Sequence, residues 1–273
     1  MRIAVVGHVE WTEFAPVPRV PEPGQIVEVA RTWQRPAGGG AVAAVQIARL
    51  GGECLFLTAL ADDELGHRAK DELEAMGLSV AVAWRPGSQR RAFVYLDADG
   101  ERTITTIGAR VGPAAADPLP WGELAAMEAI YVTAADVGAL RAARAADKLV
   151  ATVRVGDPLT RAGVLIDVLV LSAGDSGERY RPGSIEPTPA AVVRSSGSSG
   201  GEVELADGET RRWKAAPLPG PRVDVHGAGD CFAGALTYGL GRGWSIDKAL
   251  KLAAECGAAA LTRRGPYGEA CTA

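Results

Sequence analysis

Short, wholly apolar runs alternate along this chain with longer amphipathic stretches, and the alternation predicts strands interleaved with helices. Ile3–Val6 is apolar throughout and stops at Gly7, the pattern of a strand buried on both faces. Gly40–Arg49 places Val42, Val45, Ile47 and Leu50 on a helical face, with Gly51-Gly52 as the stop signal. Cys54–Thr58 predicts the next buried strand. Glu64–Met76 then sets Leu65, Ala69, Leu73 and Met76 in one helical stripe closed by Gly77. Farther on, Ala129–Thr133, Leu149–Val153 and Val168–Leu171 predict strands, with a helix over Ala139–Ala146. Ala191–Arg194, Glu202–Leu205 and Thr210–Lys214 are shorter strand candidates around the Ser/Gly turn Ser195–Gly201. Two helices close the chain. The second, with Ser245 as its cap, repeats Ile246, Ala249, Leu250, Ala253, Ala254, Gly257, Ala258 and Leu261 at helical spacing. Such alternation predicts an α/β fold with a doubly wound, mainly parallel sheet flanked by helices.

Two stretches break the alternation. Arg91–Asp97 and Glu101–Ile107 flank Asp97-Ala98-Asp99-Gly100, a hairpin turn signal, with Phe93 and Tyr95 on one face. The proline-rich stretch Trp11–Trp33 carries a strand-like run over Gln25–Trp33. Together they predict a small sheet set apart from the main layer.

Composition narrows the field only a little. At 273 residues, with 47% hydrophobic and 23% charged residues, the chain reads as one globular domain over 1–273. A formal charge of −4 argues against non-specific nucleic-acid binding. Cys54, Cys231, Cys256 and Cys271 are scattered, so they predict small buried hydrophobes and no thiolate metal site. No run of about 18 uncharged apolar residues predicts a membrane span. The N-terminal apolar run turns polar after Val6, as a first strand does and a leader does not, so cytoplasm is the expectation. Gly38-Gly39-Gly40 lies far beyond the first strand, which argues against a dinucleotide-binding loop, and no P-loop string occurs.

The segment richest in chemistry is Val223–Ala235, where Gly227-Ala228-Gly229-Asp230 leads into a helix. Free backbone N–H groups in a helix's first turn suit phosphate, and a carboxylate there is favoured by the helix dipole. Beside an acceptor hydroxyl, Asp230 would take the proton while the amides hold the migrating phosphoryl group. The alternative reading of these residues is a plain strand–turn–helix junction with a capping Asp.

With this segment the chain resembles the ribokinase-like (PfkB) carbohydrate kinases nearly end to end. Ala37-Gly38-Gly39-Gly40 with Ala44, Ala48, Arg49, Leu50 and Gly51 resembles the family's first signature. Asp62–Gly66 and Gly100–Ile104 resemble further blocks, and Ser195–Gly200 its nucleotide-side T-x-G-x-x-G with Ser for Thr. The resemblance implies a kinase using Mg²⁺ and ATP on a sugar or nucleoside hydroxyl. Asp230 would be the base and Gly227, Ala228 and Gly229 the anion hole. Gly38, Gly39 and Gly40 would contact the acceptor, and Ser195, Gly197 and Gly200 the nucleotide; for Glu10 the readings are a substrate contact or a plain surface carboxylate, and for His226 a nucleotide-phosphate contact or a turn residue with one ring nitrogen satisfied by backbone. It also implies a β lid from about 11–35 and 85–110, and leaves open a homodimer formed through that lid. Trp11 and Trp33 are expected to pack in the lid or at a dimer contact, with stacking on a sugar or base as the other reading, and Arg102 to pair locally on its hairpin. A non-catalytic nucleotide- or sugar-binding protein of the same fold is the alternative.

Four positions depart from the family pattern. A sugar-binding Asn is replaced by Val42, and the N-x-x-E motif reads Ser172-Ala173-Gly174-Asp175. Asp175 is therefore expected to reach the metal only through water. His226 replaces a threonine, and Glu10 stands where relatives place polar residues on substrate hydroxyls. Asp224 lies where a monovalent-cation site could form.

Overall fold

The structure is a computed structural model and describes residues 1–268; Cys271 lies outside them. Strands β1 (Arg2–Val6), β2 (Glu10–Pro16) and β3 (Trp33–Ala37) precede helix α1 (Gly39–Arg49). Next come β4 (Glu53–Ala61), α2 (Glu64–Ala75), β5 (Ser79–Arg85) and the hairpin β6 (Arg91–Leu96) and β7 (Arg102–Ile107). Then β8 (Ala129–Val132), α3 (Val137–Ala143), β9 (Leu149–Thr152), α4 (Asp157–Arg161) and β10 (Val168–Ser172) alternate. The chain closes through β11 (Ala191–Ser195), β12 (Gly201–Leu205), β13 (Thr210–Trp213), α5 (Ala228–Gly241) and α6 (Ile246–Ala260).

Nine strands form the main sheet in the order β13-β12-β11-β10-β9-β8-β1-β4-β5. All neighbours from β11 to β5 are parallel, and β12 and β13 add an antiparallel edge. Alternate residues serve opposite faces. In β1, Ile3 and Val5 join the core under α1, α2, α5 and α6, while Ala4 and Val6 join the one under α3 and α4. Helix α5 meets α1 so closely that a Cβ at Gly234 would lie 2.6 Å from the Ala43 carbonyl oxygen. Ser245 caps α6 through the Lys248 N–H, as expected. Helix α3 begins before Ala139 because the Asp136 carboxylate caps it through that residue's N–H at 2.7 Å. Among the described residues no helix is long and apolar enough to cross a membrane.

A second sheet, ordered β3-β2-β6-β7, stands apart. Its core is Phe14, Val94 and Leu96 with Trp33, whose ring stacks on Phe14 at 5.3 Å. The strand expected over Gln25–Trp33 is not there: extended pairing begins at Trp33 and runs to Ala37. Residues 25–32 carry the right alternation, but no strand pairs with them, and Ile26 is fully exposed. The pairing stretch instead contains Pro36, which an edge strand tolerates because its missing N–H costs no ladder bond. The expected hairpin forms as β6 and β7, paired from Arg91–Ile107 to Leu96–Arg102.

Candidate active site

Parallel strands present their carboxyl ends to one crevice, the usual ligand site of an open α/β sheet. Here His8 and Glu10 follow β1, Thr133 follows β8, Arg154 follows β9, and Ser172 and Ser195 end β10 and β11. Over the same edge the chain crosses to the small sheet and back, at residues 7–10, 37–39, 85–91 and 107–112.

Asp230 lies in the first turn of α5, and its carboxylate also faces the start of α1. A Cβ on Gly39 would come 2.8 Å from Asp230 Oδ1, so only a glycine leaves that carboxylate its place. Gly227, the N-cap of α5, is left-handed at φ 80°, and the N–H groups of Gly227, Gly229 and Asp230 have no acceptor among the described residues. Two helix N-termini thus converge on one carboxylate. Enclosure by protein pushes the Asp230 carboxyl up to about 6, with Glu178 and Glu10 adding to the rise and Arg102 and Arg154 opposing it. The helix ends favour its charged form, so at neutral pH it is ionised.

The residues expected on the acceptor side gather at the first crossing. Gly38, the N-cap of α1, has φ 91° and closely approaches the Glu10 N–H and His8. Gly40 presses on Gly7 and the His8 carbonyl. Glu10 does not stand free: its Oε1 accepts from Arg90 Nε at 2.6 Å. Val42 buries its side chain under Gly227. The Thr133 hydroxyl is buried beside Gly7 with no hydrogen-bond partner.

On the opposite side, Ser195 ends β11, and a tight turn with Gly197 (φ 54°) and Gly200 (φ 83°) follows it. Open space surrounds the Gly197 Cα, whereas Gly200 is pressed against the Trp213 carbonyl. Asp175 is ion-paired to Arg154 and accepts from the Gly177 N–H, which holds it below the usual carboxylate range. Arg154 also pairs with Glu178, which in turn accepts from the Ser172 N–H at 2.7 Å. Asp175 and Glu178 are both taken up by the Arg154 guanidinium, so a Mg²⁺ ion beside them would be carried by nucleotide phosphates and water.

Asp224 is buried, and each of its oxygens accepts a backbone N–H, from His226 at 2.7 Å and Gly265 at 2.8 Å. The His226 ring turns to the small sheet and meets Phe14 edge-on at 4.9 Å. Burial holds that ring neutral, with its pKa lowered to about 3. Trp33 packs in the small sheet's core, whereas Trp11 joins the main-sheet core cluster, with Arg68 of α2 4.6 Å over its ring. The local pairing expected of Arg102 is replaced by a longer reach: its Nη1 donates to the Val225 carbonyl at 3.1 Å. The hairpin tip docks on the same irregular segment before α5, with the Val225 N–H donating to the Gly100 carbonyl. Arg90, Arg110, Arg154, Glu178 and Thr133 were not singled out from the sequence. Arg154 and Thr133 carried a usable signal, since each sits at the carboxyl end of an anticipated parallel strand; the others sit in loops without a pattern.

Against known proteins, residues 1–159 and 187–271 match the description "pfkB family carbohydrate kinase". An aminoimidazole riboside kinase of Salmonella typhimurium is 29% identical, with 84% of this chain and 83% of that protein covered. An ATP-dependent ribose-1-phosphate kinase of Halopiger xanaduensis is 27% identical, covering 97% and 93%. In three dimensions, a Cryptococcus neoformans ribokinase in complex with ADP superposes with a TM-score of 0.76 at 23% identity, covering 97% of this chain and 95% of that one. The two-sheet architecture is the ribokinase fold, and the chain belongs to the pfkB family of carbohydrate kinases, ATP-dependent enzymes that phosphorylate sugars.

Proposed function

We propose that this enzyme transfers the γ-phosphoryl group of ATP to a hydroxyl of a sugar or nucleoside, with Asp230 as general base. The observation that carries the reading is the placement of Asp230 between the N-termini of α1 and α5. A hydroxyl laid against Gly38–Gly40 meets the carboxylate, which takes its proton as the oxygen attacks phosphorus. The N–H groups of Gly227 and Gly229 receive the negative charge spread over the equatorial oxygens, whereas the expected third donor, the Ala228 N–H, already donates to the Val225 carbonyl at 3.4 Å. Ser195, Gly197 and Gly200 border the nucleotide, and Arg102 brings a further positive charge from the hairpin. A bound magnesium ion would neutralise the β- and γ-phosphates; Asp175 and Glu178 are the carboxylates that would orient its water shell. The small sheet acts as a lid, because excluding water suppresses hydrolysis of the nucleotide. The two relatives' names, one of a riboside kinase and one of a sugar-phosphate kinase, agree on a ribose unit and differ in the acceptor's charge.

Asp230→Asn tests the mechanism. ADP release dependent on a pool of sugars, sugar phosphates and nucleosides should fall about 10²–10⁴-fold, the range lost with a general base. Turnover close to the wild-type rate would remove Asp230 from the mechanism. Because the base must be ionised, kcat/KM of the wild type should fall as pH drops through about 6. A second readout has the opposite sign. A carboxyl raised above its unfolded value destabilises the fold at pH 7, and that cost is relieved as pH falls from about 6 toward 4. The ligand-free Asp230→Asn protein should therefore melt higher at pH 7, by roughly 1–3 kcal/mol of stability.

A further inference from the structure

One buried amide ties two of the chain crossings to the main sheet. Gln89, on the crossing from β5 to β6, is 4% exposed. Its Oε1 accepts from the N–H of Ala61, the last residue of β4, at 3.0 Å. Its Nε2 donates to the Val9 carbonyl on the first crossing at 3.1 Å and reaches the Arg90 carbonyl at 3.5 Å. A backbone N–H on one side and a carbonyl on the other settle which end of the amide is which. The Gln89 N–H donates to Asp63, whose other oxygen caps α2 through the Gly66 N–H. Other links here run from crossing to crossing. Arg90 Nε donates to Glu10 at 2.6 Å, Arg90 Nη1 to the Gly108 carbonyl at 3.1 Å, and Arg110 Nη2 to His8 Nε2 at 3.3 Å. Such links fix how far apart the crossings stand, but not how high they ride over the sheet.

Height matters because Val9 stands between the two residues that meet the glycine floor. A Cβ on Gly38 would lie 3.2 Å from both the His8 carbonyl oxygen and the Glu10 nitrogen, and one on Gly40 3.0 Å from the same carbonyl. Between them, a Cβ on Gly39 would meet Asp230. We propose, resting on the kinase reading above, that Gln89 is a positioning residue for the acceptor: its amide holds the first crossing where a hydroxyl on the glycine floor reaches Asp230. Both ends of the amide are needed. A carboxylate of the same length still accepts from Ala61 but turns an oxygen on the Val9 carbonyl, and a thioether of that length serves neither. Without the tie, only a fraction of the free protein holds the crossing in place. Acceptor binding must then restore the rest, which weakens it by the inverse of that fraction.

The test uses Gln89→Glu and Gln89→Met with ATP, Mg²⁺ and, as acceptors, ribose, ribose 1-phosphate and adenosine. Both variants should raise the acceptor KM roughly 10–100-fold, the scale set by a buried carbonyl left unpaired. KM for ATP and kcat at saturating acceptor should hold, the pattern of lost acceptor binding. Amide exchange gives a readout independent of turnover. In ligand-free Gln89→Glu, residues 8–12 and 90–92 should exchange faster while β1 and β4 stay slow, and saturating acceptor should restore the wild-type pattern. An unchanged acceptor KM overturns the proposal, as does a loss confined to kcat or shared equally by KM for ATP. So does fast exchange throughout β1 and β4 in both variants, which would make Gln89 a packing residue of the whole fold. Faster exchange at the crossings, reversed by an acceptor but without ADP release from the wild type, keeps the positioning role and sinks the kinase reading. ADP release from the wild type, with exchange unaltered in both variants, does the reverse.

Discussion

The main sheet and the small sheet are built on different terms. In the main sheet, β1, β8 and β9 are buried along almost their whole length, and each face has its own helix layer. In the small sheet β7 is exposed at all six positions, and the core is three fully buried side chains and one tryptophan. A strand buried on both faces is held by its own sequence. The small sheet holds its place through attachments: the Phe14–His226 contact, the Gly100–Val225 hydrogen bond, the Arg102–Val225 hydrogen bond and the Arg222–Glu101 ion pair. Burial, and with it stability, is thereby unequally divided between two sheets of one chain.

Matched truncations test that division most strongly. Phe56 in β4 and Phe14 in β2 are both fully buried. Phe56→Ala should cost about 3–5 kcal/mol and lower one global unfolding transition. Phe14→Ala should lower that transition less, while amide exchange accelerates in 10–16 and 91–96 and stays slow in β1 and β4. Equal acceleration in both sheets would make them a single cooperative unit. Next in size is Gly100→Ala. The residue sits at φ 74°, and a Cβ would fall 2.6 Å from the Val223 carbonyl oxygen. A cost of about 1 kcal/mol is expected, confined to the hairpin. It should appear as a raised acceptor KM, and an unchanged KM would detach the hairpin tip from the site. Smallest is Ile104→Thr on exposed β7, expected within about 0.5 kcal/mol by thermal melting. A larger loss would mean that something covers that strand in solution.

The same contrast explains what was readable beforehand. The buried strands appeared as apolar runs because burial on two faces leaves no room for polar residues. The 10–37 region misled because alternation at 25–32 satisfies a strand pattern without a partner, while Trp33–Ala37 pairs in spite of a proline. Strand β5 left no clear signal because its residues are mostly half-buried at the sheet edge. At the site, Asp230 and the glycines were legible from local order alone, as glycines leading into a helix state their own backbone geometry. Arg110, Arg90 and Glu178 were not, since each depends on which crossings meet over the sheet. His226 and Arg102 show the same limit: their neighbours lie far away in sequence.

The bare Cα atoms at the acceptor wall have a consequence for how this protein can diverge. A Cβ on Gly7 would lie 2.3 Å from Thr133 Oγ1, one on Gly39 2.8 Å from Asp230 Oδ1, and one on Gly40 3.0 Å from the Gly7 Cα. A side chain at Gly7 or Gly39 would have to displace Thr133 or Asp230, and one at Gly40 would press on backbone, so change at this floor disturbs the proposed seat of the reacting hydroxyl. Arg90 and Arg110 stand instead on the crossings between the two sheets. A lineage that took up a new acceptor would rewrite those crossings and leave the glycine floor untouched.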